Sequence, residues 1–534
     1  MALTTILLAI PLLGVLVLLL WTREGSQQQV KWVAFGFSIV TFLASLLMWN
    51  RFDPTQGGFQ MVQSWDWLPM LGIKIQWGVD GISMLLVLLT TFIMPLAILS
   101  SFGSGIFAER GRERLYYLFM LLLEFAMLGV FVTLDLIIFY IFWELTLVPM
   151  YFLIGIWGAE QRIYAAVKFF LYTMAGSIMM LLAILYVGLT AETFVLPGIL
   201  AAQADGRVQF LYDGLFSTQS FLFLGFFIAF AIKVPIWPFH SWLPDAHVQA
   251  PTAGSVILAG ILLKLGTYGI VRFCLPLFPE ASVGWGGFIA SLGVIGILYG
   301  AWVSYAQDDV KKLVAYSSVS HLGFVVVGIF ALNSAGLQGA TLQMVNHGIS
   351  TGGLFLLVGM LYERRHTKEM AAFGGVWKVM PAFGGISLVI VLSSMGLPGL
   401  NGFVGEFTIL LGSLGSEYLG FTFAFLATLG VIMAAIYLLN MFQHVYMGEL
   451  REENADLAPM RWNEIAVLVP VVILTLWIGL QPGTFFRLMD HSTGQLLEDA
   501  GFTTETRTAE SLGITPLVGR GTLELNGPYT LVLD

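Results

Sequence analysis

Eight ionisable side chains stand inside long apolar stretches of this sequence: Glu124, Glu144, Lys168, Lys233, Lys264, His321, His347 and Glu406. Keeping such a group near the centre of a bilayer costs about 2.5–3.5 kcal/mol on insertion scales. Groups retained at that cost line polar cavities, hold ions or pass protons. A lysine removed from water exchanges its proton near neutrality, which arginine does not do. Histidine titrates in the same range, and a carboxylate can accept what either releases. The chemistry these types offer together is proton transfer along a buried line. Plainer readings stand beside it. Glu144, in Phe142-Trp143-Glu144-Leu145, also fits a structural ion pair bracing two helices, and Lys233 fits a side chain reaching to the interface. A lone buried histidine is often only a satisfied hydrogen-bonder, and Glu124 fits a local pairing.

The elements that must position these groups are membrane helices. Charged residues make up 11% of the 534-residue chain and hydrophobic residues 57%, against about 25% charged for a soluble domain. So few charges cannot cover the surface of a soluble fold. A crossing helix needs about 20 mostly apolar residues, and by that measure fourteen candidate spans lie between residues 3 and 480. Strands of a membrane barrel would alternate apolar and polar residues, and these stretches do not. The expected fold is an all-α polytopic membrane bundle of about 14 transmembrane helices.

Two of the spans look broken. Lys233 precedes Pro235 and Pro238 in the span near 220–239, and a proline inside a helix removes a hydrogen bond and clashes with the preceding turn. Glu406 follows Leu397-Pro398-Gly399-Leu400-Asn401-Gly402, at the end of an apolar run that is too long and glycine-rich for one clean helix. Carbonyls freed at such breaks serve a polar cavity.

Spacing ties the groups into a repeat. Glu144 to His321, Lys168 to His347 and Lys233 to Glu406 are 177, 179 and 173 residues apart. The broken spans match at the same offset. Five spans form each unit, and because five is odd the second unit must run inverted to the first. The chain is thereby divided into N-terminal helices at 1–114, a first five-helix repeat at 115–275, a second inverted repeat at 285–446, a last span within 447–480 and an outer tail at 481–534. That tail is expected to pack on a neighbour or to remain mobile.

Basic residues orient the bundle. With the N-terminus outside, the odd-numbered loops hold most of them, including Arg110, Arg112, Arg114, Lys311 and Lys312. The short loops on the other side hold only Arg51, Lys74, Arg207 and Arg272, and the tail adds Arg487, Arg507 and Arg520. The positive-inside rule then places both termini on the outer side. Cys274 is the single cysteine, which excludes a disulfide or a cysteine-held cluster within the chain, and no basic run suggests nucleic acid.

The stretch Phe239-His240-Ser241-Trp242-Leu243-Pro244-Asp245-Ala246-His247, continuing through Val248-Gln249-Ala250-Pro251-Thr252, resembles the antiporter-like subunits of respiratory complex I (NADH:quinone oxidoreductase). Phe142-Trp143-Glu144, Ala315-Tyr316-Ser317-Ser318-Val319-Ser320-His321 and Gly402-Phe403-Val404-Gly405-Glu406-Phe407 agree with the same family. The likeness runs from about residue 80 to 480 and is closest to the subunit M, or chain 4, branch. The resemblance implies two half-channels joined by ionisable groups at the membrane midplane. It implies Glu144 and Lys233 as a modulating ion pair, Lys264 as central proton carrier, His321 and His347 as onward relay, and Glu406 as terminal exchange group. A glutamate at that last place suits subunit M, where sister subunits tend to carry lysine. Glu124 matches no family position.

The same resemblance implies L-, N- and K-like membrane-arm partners in a prokaryotic plasma membrane. No cofactor is expected in this chain; flavin and iron–sulfur clusters belong to partner subunits, and NADH and quinone are reached only through them. The rival readings are an Mrp-type cation/proton antiporter, the membrane subunit of a related hydrogenase, and a structural scaffold. A haem b protein is a further rival, with His321 and His347 as axial ligands.

Overall fold

The computed structural model describes residues 3–20, 27–502, 521–524 and 530–533. Arg507 and Arg520 of the charge tally, and most of the tail beyond residue 502, lie outside the described residues. Twelve helices among the described residues are long and apolar enough to cross a membrane. The two other expected spans are shorter pieces, Thr218–Lys233 and Pro381–Ser394. The first stops at Lys233 because Pro235 and Pro238 cannot continue it, and the chain resumes as the helix Trp242–Gln249. The second stops before Gly396 and Gly399, which take positive φ values of 79° and 91°, and resumes at Asn401–Leu414. Each five-helix set, from Glu113–Val132 to Thr252–Leu277 and from Pro279–Tyr305 to Gly420–Tyr446, therefore contains one broken helix.

Helix starts are fixed by capping side chains. Asp135 Oδ1 accepts the Ile137 and Ile138 N–H groups at 2.9 and 3.2 Å at the start of the helix bearing Glu144. Its other oxygen accepts the Lys74 N–H at 3.0 Å, tying that start to the hairpin strand Ile73–Val79. Burial pushes the Asp135 carboxyl above its ordinary range, against these three N–H donors. Asp309 and Asn333 cap the next two central helices in the same way.

Val310–Phe330 and Ser334–Arg365 form the centre of the bundle and are buried almost throughout, whereas Arg162–Ala191 exposes Ile163, Leu171, Leu182 and Leu189 on its outer stripe. Small residues let the central backbones meet: a Cβ on Gly323 would lie 2.6 Å from the Gly293 carbonyl. The helix Thr252–Leu277 is interrupted by two π-helical turns, Leu258–Leu262 and Ile270–Cys274, on either side of Lys264. Such turns commonly sit at functional sites.

Three sequence expectations change here. The first part of the 481–534 tail is a helix, Gly483–Asp499, whose apolar stripe (Phe485, Leu488, Met489, Leu496) packs on this chain's own helices Gly81–Ser100 and Ser334–Arg365. Ser492 Oγ accepts the Gly81 N–H at 2.9 Å, and Gln338 Nε2 donates to Asp490 Oδ1 at 2.7 Å. Arg272 is not in a loop: it lies within the Thr252–Leu277 helix, buried and ion-paired to Asp80. Lys311 is also buried, its Nζ donating to the Ala250 carbonyl at 2.6 Å. In both cases the charge sits near a span's end, where hydropathy cannot separate a helix residue from a loop residue.

Candidate functional site

Lys264 stands at the middle of Thr252–Leu277, twelve residues from Thr252 and twelve from Pro276. Its Nζ donates to the Ala259 carbonyl within the first π-helical turn and lies 2.6 Å from His347 Nδ1. The ring centres of His347 and His321 are 6.0 Å apart. His321 Nδ1 meets Glu406 Oε1 at 2.8 Å, and the Tyr437 hydroxyl lies 3.2 Å from His321 Nε2. Gln343 Nε2 donates to the same Glu406 oxygen at 3.0 Å. Asn346 Nδ2 donates to the Asn401 carbonyl at 2.7 Å, anchoring the broken helix that carries Glu406. Lysine, two histidines and a carboxylate, all buried, thus form one line that starts on the last helix of the first five-helix set and crosses into the second. Each member is of a type that can exchange a proton, and each next member lies within direct contact or one short gap.

Glu144 and Lys233 are not bonded to each other. Lys233 Nζ donates to Thr146 Oγ1 at 3.3 Å and lies 5.3 and 5.6 Å from the ring centres of Trp143 and Phe169. Glu144 Oε1 has no hydrogen-bond partner among the described residues. The expected ion pair is therefore open in this structure, with the ammonium held by a hydroxyl and two aromatic faces. Lys168 also departs from expectation. It pairs with Asp245 at 2.7 Å in a partly exposed position, so its offset from His347 has no counterpart in the line.

Both ends of the lysine-bearing helix open to cavities. Near Thr252 lies one of about 400 Å³, where Lys311 and Lys368 bond the Ala250 and Val248 carbonyls at 2.6 and 2.8 Å. These carbonyls end the helix Trp242–Gln249, a position that favours cations. Burial lowers the Lys368 amine below its ordinary value, with Asp309 and Glu160 opposing the shift. Near Pro276 lies a larger cavity of about 950 Å³, lined by Asp80, Arg272 and Glu280. At 1.5 Å per residue Lys264 is about 18 Å along the helix from either end.

Residue types and spacing do not single out several side chains that stand at or near the line. His247 is buried and stacked on Phe355 at 4.4 Å, with neither ring nitrogen hydrogen-bonded among the described residues. Tyr437 and Gln343 touch the line but look like ordinary helix residues in sequence. Glu124 is fully buried, and neither of its carboxylate oxygens has a hydrogen-bond partner among the described residues. Phe119 stacks on Phe152 and Phe125 packs edge-on against Phe142, which puts Glu124 at about the depth of Glu144 on the adjacent helix. The haem alternative does not fit, because both ring nitrogens of His321 are engaged by protein groups, which leaves none to ligate iron.

Gly266 is the contact between the broken helix and the lysine-bearing one. A Cβ there would come within 2.7 Å of the Phe230 carbonyl and 3.1 Å of Lys233 Cβ. Gly266→Ala is expected to destabilise the protein by about 1–3 kcal/mol through overpacking. The check is a lowered thermal unfolding midpoint of the purified protein relative to a Gly287→Ala control, where a Cβ meets nothing within 4 Å.

Residues 133–436 match the family described as NADH:quinone oxidoreductase/Mrp antiporter, transmembrane. The chain is 44% identical over 504 residues to NADH-quinone oxidoreductase subunit M of Rhodobacter capsulatus, covering 93% of this chain and 96% of that one. It is 40% identical to NADH-ubiquinone oxidoreductase chain 4 of Marchantia polymorpha, covering 93% and 97%. A chain of respiratory complex I from Thermus thermophilus is similar in structure, with a TM-score of 0.82, 31% identity, and coverage of 93% of this chain and all of that one. A chain of the Mrp complex from Dietzia sp. shares the fold at 18% identity and a TM-score of 0.80, covering 93% of this chain and 99% of that one.

Proposed function

This chain belongs to the NADH:quinone oxidoreductase/Mrp antiporter family of membrane subunits, and on that premise we propose how it moves protons. It is an integral membrane subunit of NADH:quinone oxidoreductase that translocates protons in the membrane arm. The observation that carries the mechanism is the buried line Lys264–His347–His321–Glu406. Lys264 takes up a proton from the side of the Thr252 cavity and passes it through His347 and His321 to Glu406. Lys233 sets the timing. When its ammonium turns from Thr146 to Glu144, positive charge withdraws from the Lys264 helix and favours proton uptake there. Its return drives the proton onward. The energy is supplied by redox chemistry in partner subunits that hold the flavin and iron–sulfur clusters, and this chain acts as a non-redox, L-, N- and K-contacting member of the arm. Both termini face the outer side of a prokaryotic plasma membrane.

The test is reconstitution of the intact complex in sodium-free proteoliposomes, with NADH and a quinone supplied and internal pH followed by a dye. A proton gradient of unchanged size without sodium is expected. A requirement for sodium, with sodium carried in exchange, would instead favour the Mrp-type reading.

A further inference from the structure

Arg272 takes no part in the proton line, yet its surroundings are fully built. It stands eight residues beyond Lys264 on the same helix, about 12 Å along the axis, and is buried. Its Nη2 donates to Asp80 Oδ2 and its Nε to the Tyr268 hydroxyl at 3.2 Å. The guanidinium lies 4.8 and 5.3 Å from the ring centres of Phe59 and Tyr268. Tyr268 in turn donates to the Phe131 carbonyl at 3.1 Å, and the second Asp80 oxygen accepts the Ser83 N–H at 2.9 Å. The cation is therefore fixed from three helices and from the segment that holds Phe59.

What lies beyond it explains why a fixed cation is useful there. The 950 Å³ cavity at the Pro276 end has Asp80, Glu280 and Asp499 among its lining residues, and Arg272 is its one basic residue among the described residues. A concave surface with that charge enriches cations, protons included. On the other side, the Lys264 amine points away from Arg272, toward the Ala259 carbonyl and His347.

We propose that Arg272, held by Asp80 and Tyr268, is a charge barrier that closes the Lys264 proton route to the acidic cavity at the Pro276 end. Protons on Lys264 then leave through His347 instead of exchanging directly with that cavity. The proposal rests on Lys264 being the proton carrier. Arginine suits the task because it stays charged at every accessible pH, and fixed positive groups exclude protons from other membrane pores. The helix rise separates the two residues by about 12 Å and the Lys264 amine points farther away, so at an effective dielectric constant near 20 the two charges change proton occupancy by up to about tenfold.

The experiment measures passive proton conductance of proteoliposomes holding the assembled complex, with the redox reaction inhibited and a pH step imposed. Arg272→Gln removes the barrier and leaves the Asp80 carboxylate unpaired, so conductance through the complex should rise by up to about tenfold. Arg272→Lys should stay near wild type. Asp80→Asn breaks the same ion pair but keeps the cation, and asparagine still caps the following helix, so it too should stay near wild type. A pair that merely staples helices is broken equally by Arg272→Gln and Asp80→Asn. Equal leaks from those two variants, or none from Arg272→Gln, overturn the proposal. Should Arg272→Gln fail to assemble, the double variant Asp80→Asn with Arg272→Gln removes the buried unpaired charge; wild-type conductance in it also overturns the proposal. Adding Lys264→Ala to the leaking variant should restore the baseline, and a leak that survives overturns the barrier's place on this route. Undiminished pumping by Lys264→Ala alone would overturn the carrier role of Lys264 instead.

Discussion

Complexes carrying Lys264→Ala should assemble and oxidise NADH while this chain's share of proton translocation falls to nothing. Lys264 is the only ionisable side chain between the Thr252 cavity and His347 Nδ1 on its helix, and it reaches both the Ala259 carbonyl and the imidazole. Alanine removes the proton-exchanging group and leaves His347 with no donor on that side. Lys264→Arg separates charge from exchange: it keeps a cation against His347 but does not give up a proton at working pH, so it should be as inactive as alanine. The measurement is the ratio of protons pumped to NADH oxidised, read with a pH-sensitive dye, alongside assembly on a native gel. A wild-type ratio in either assembled variant would remove Lys264 from the pathway.

The second large effect belongs to the far end of the line. Glu406→Gln keeps the side chain's shape but removes the carboxylate that faces His321 Nδ1 at 2.8 Å and accepts from Gln343 at 3.0 Å. An amide cannot take up a proton from His321. Loss of one positioned proton-transfer group typically slows a step by a factor on the order of 100. Transfer through this chain is expected to fall by about that factor, with Lys264 still able to load. Glu406→Lys restores a group that exchanges protons and should recover part of the flux, although it places a second cation near His321. Single-turnover proton release after a pulse of NADH is the readout. Normal release from Glu406→Gln would show that protons leave the line before reaching Glu406.

Much of this arrangement could be read from the sequence, because an ionisable residue in an apolar run has few explanations. Lys264, His321, His347 and Glu406 were picked out on that ground alone, and they are in mutual reach. The two helix breaks were legible too, since Pro235 with Pro238 and the Gly396–Gly402 stretch are local features with local consequences. Partnerships were not legible. Whether Lys233 faces Glu144 or Thr146 depends on a rotation between helices nearly ninety residues apart, which no local pattern encodes. Arg272 and Lys311 were misread for a different reason: near a span's end, hydropathy gives the same value for a snorkelling loop charge and for a buried pair. The π-helical turns around Lys264 arise from packing and leave no mark in residue types. The helix Gly483–Asp499 did carry an apolar stripe, but the polar composition around it hid a segment that lies on the protein rather than in the lipid.

The central position of Lys264 gives its proposed carrier role an electrical consequence. One elementary charge carried across a whole membrane exchanges about 2.3 kcal/mol with every 100 mV of potential. A carrier halfway along its helix divides that into two steps of about 1.2 kcal/mol each, one for loading and one for release. A rising membrane voltage therefore slows both steps moderately instead of stalling either. A carrier near one end of the same helix would meet almost the full opposing voltage in a single step, and turnover would fail at a lower potential.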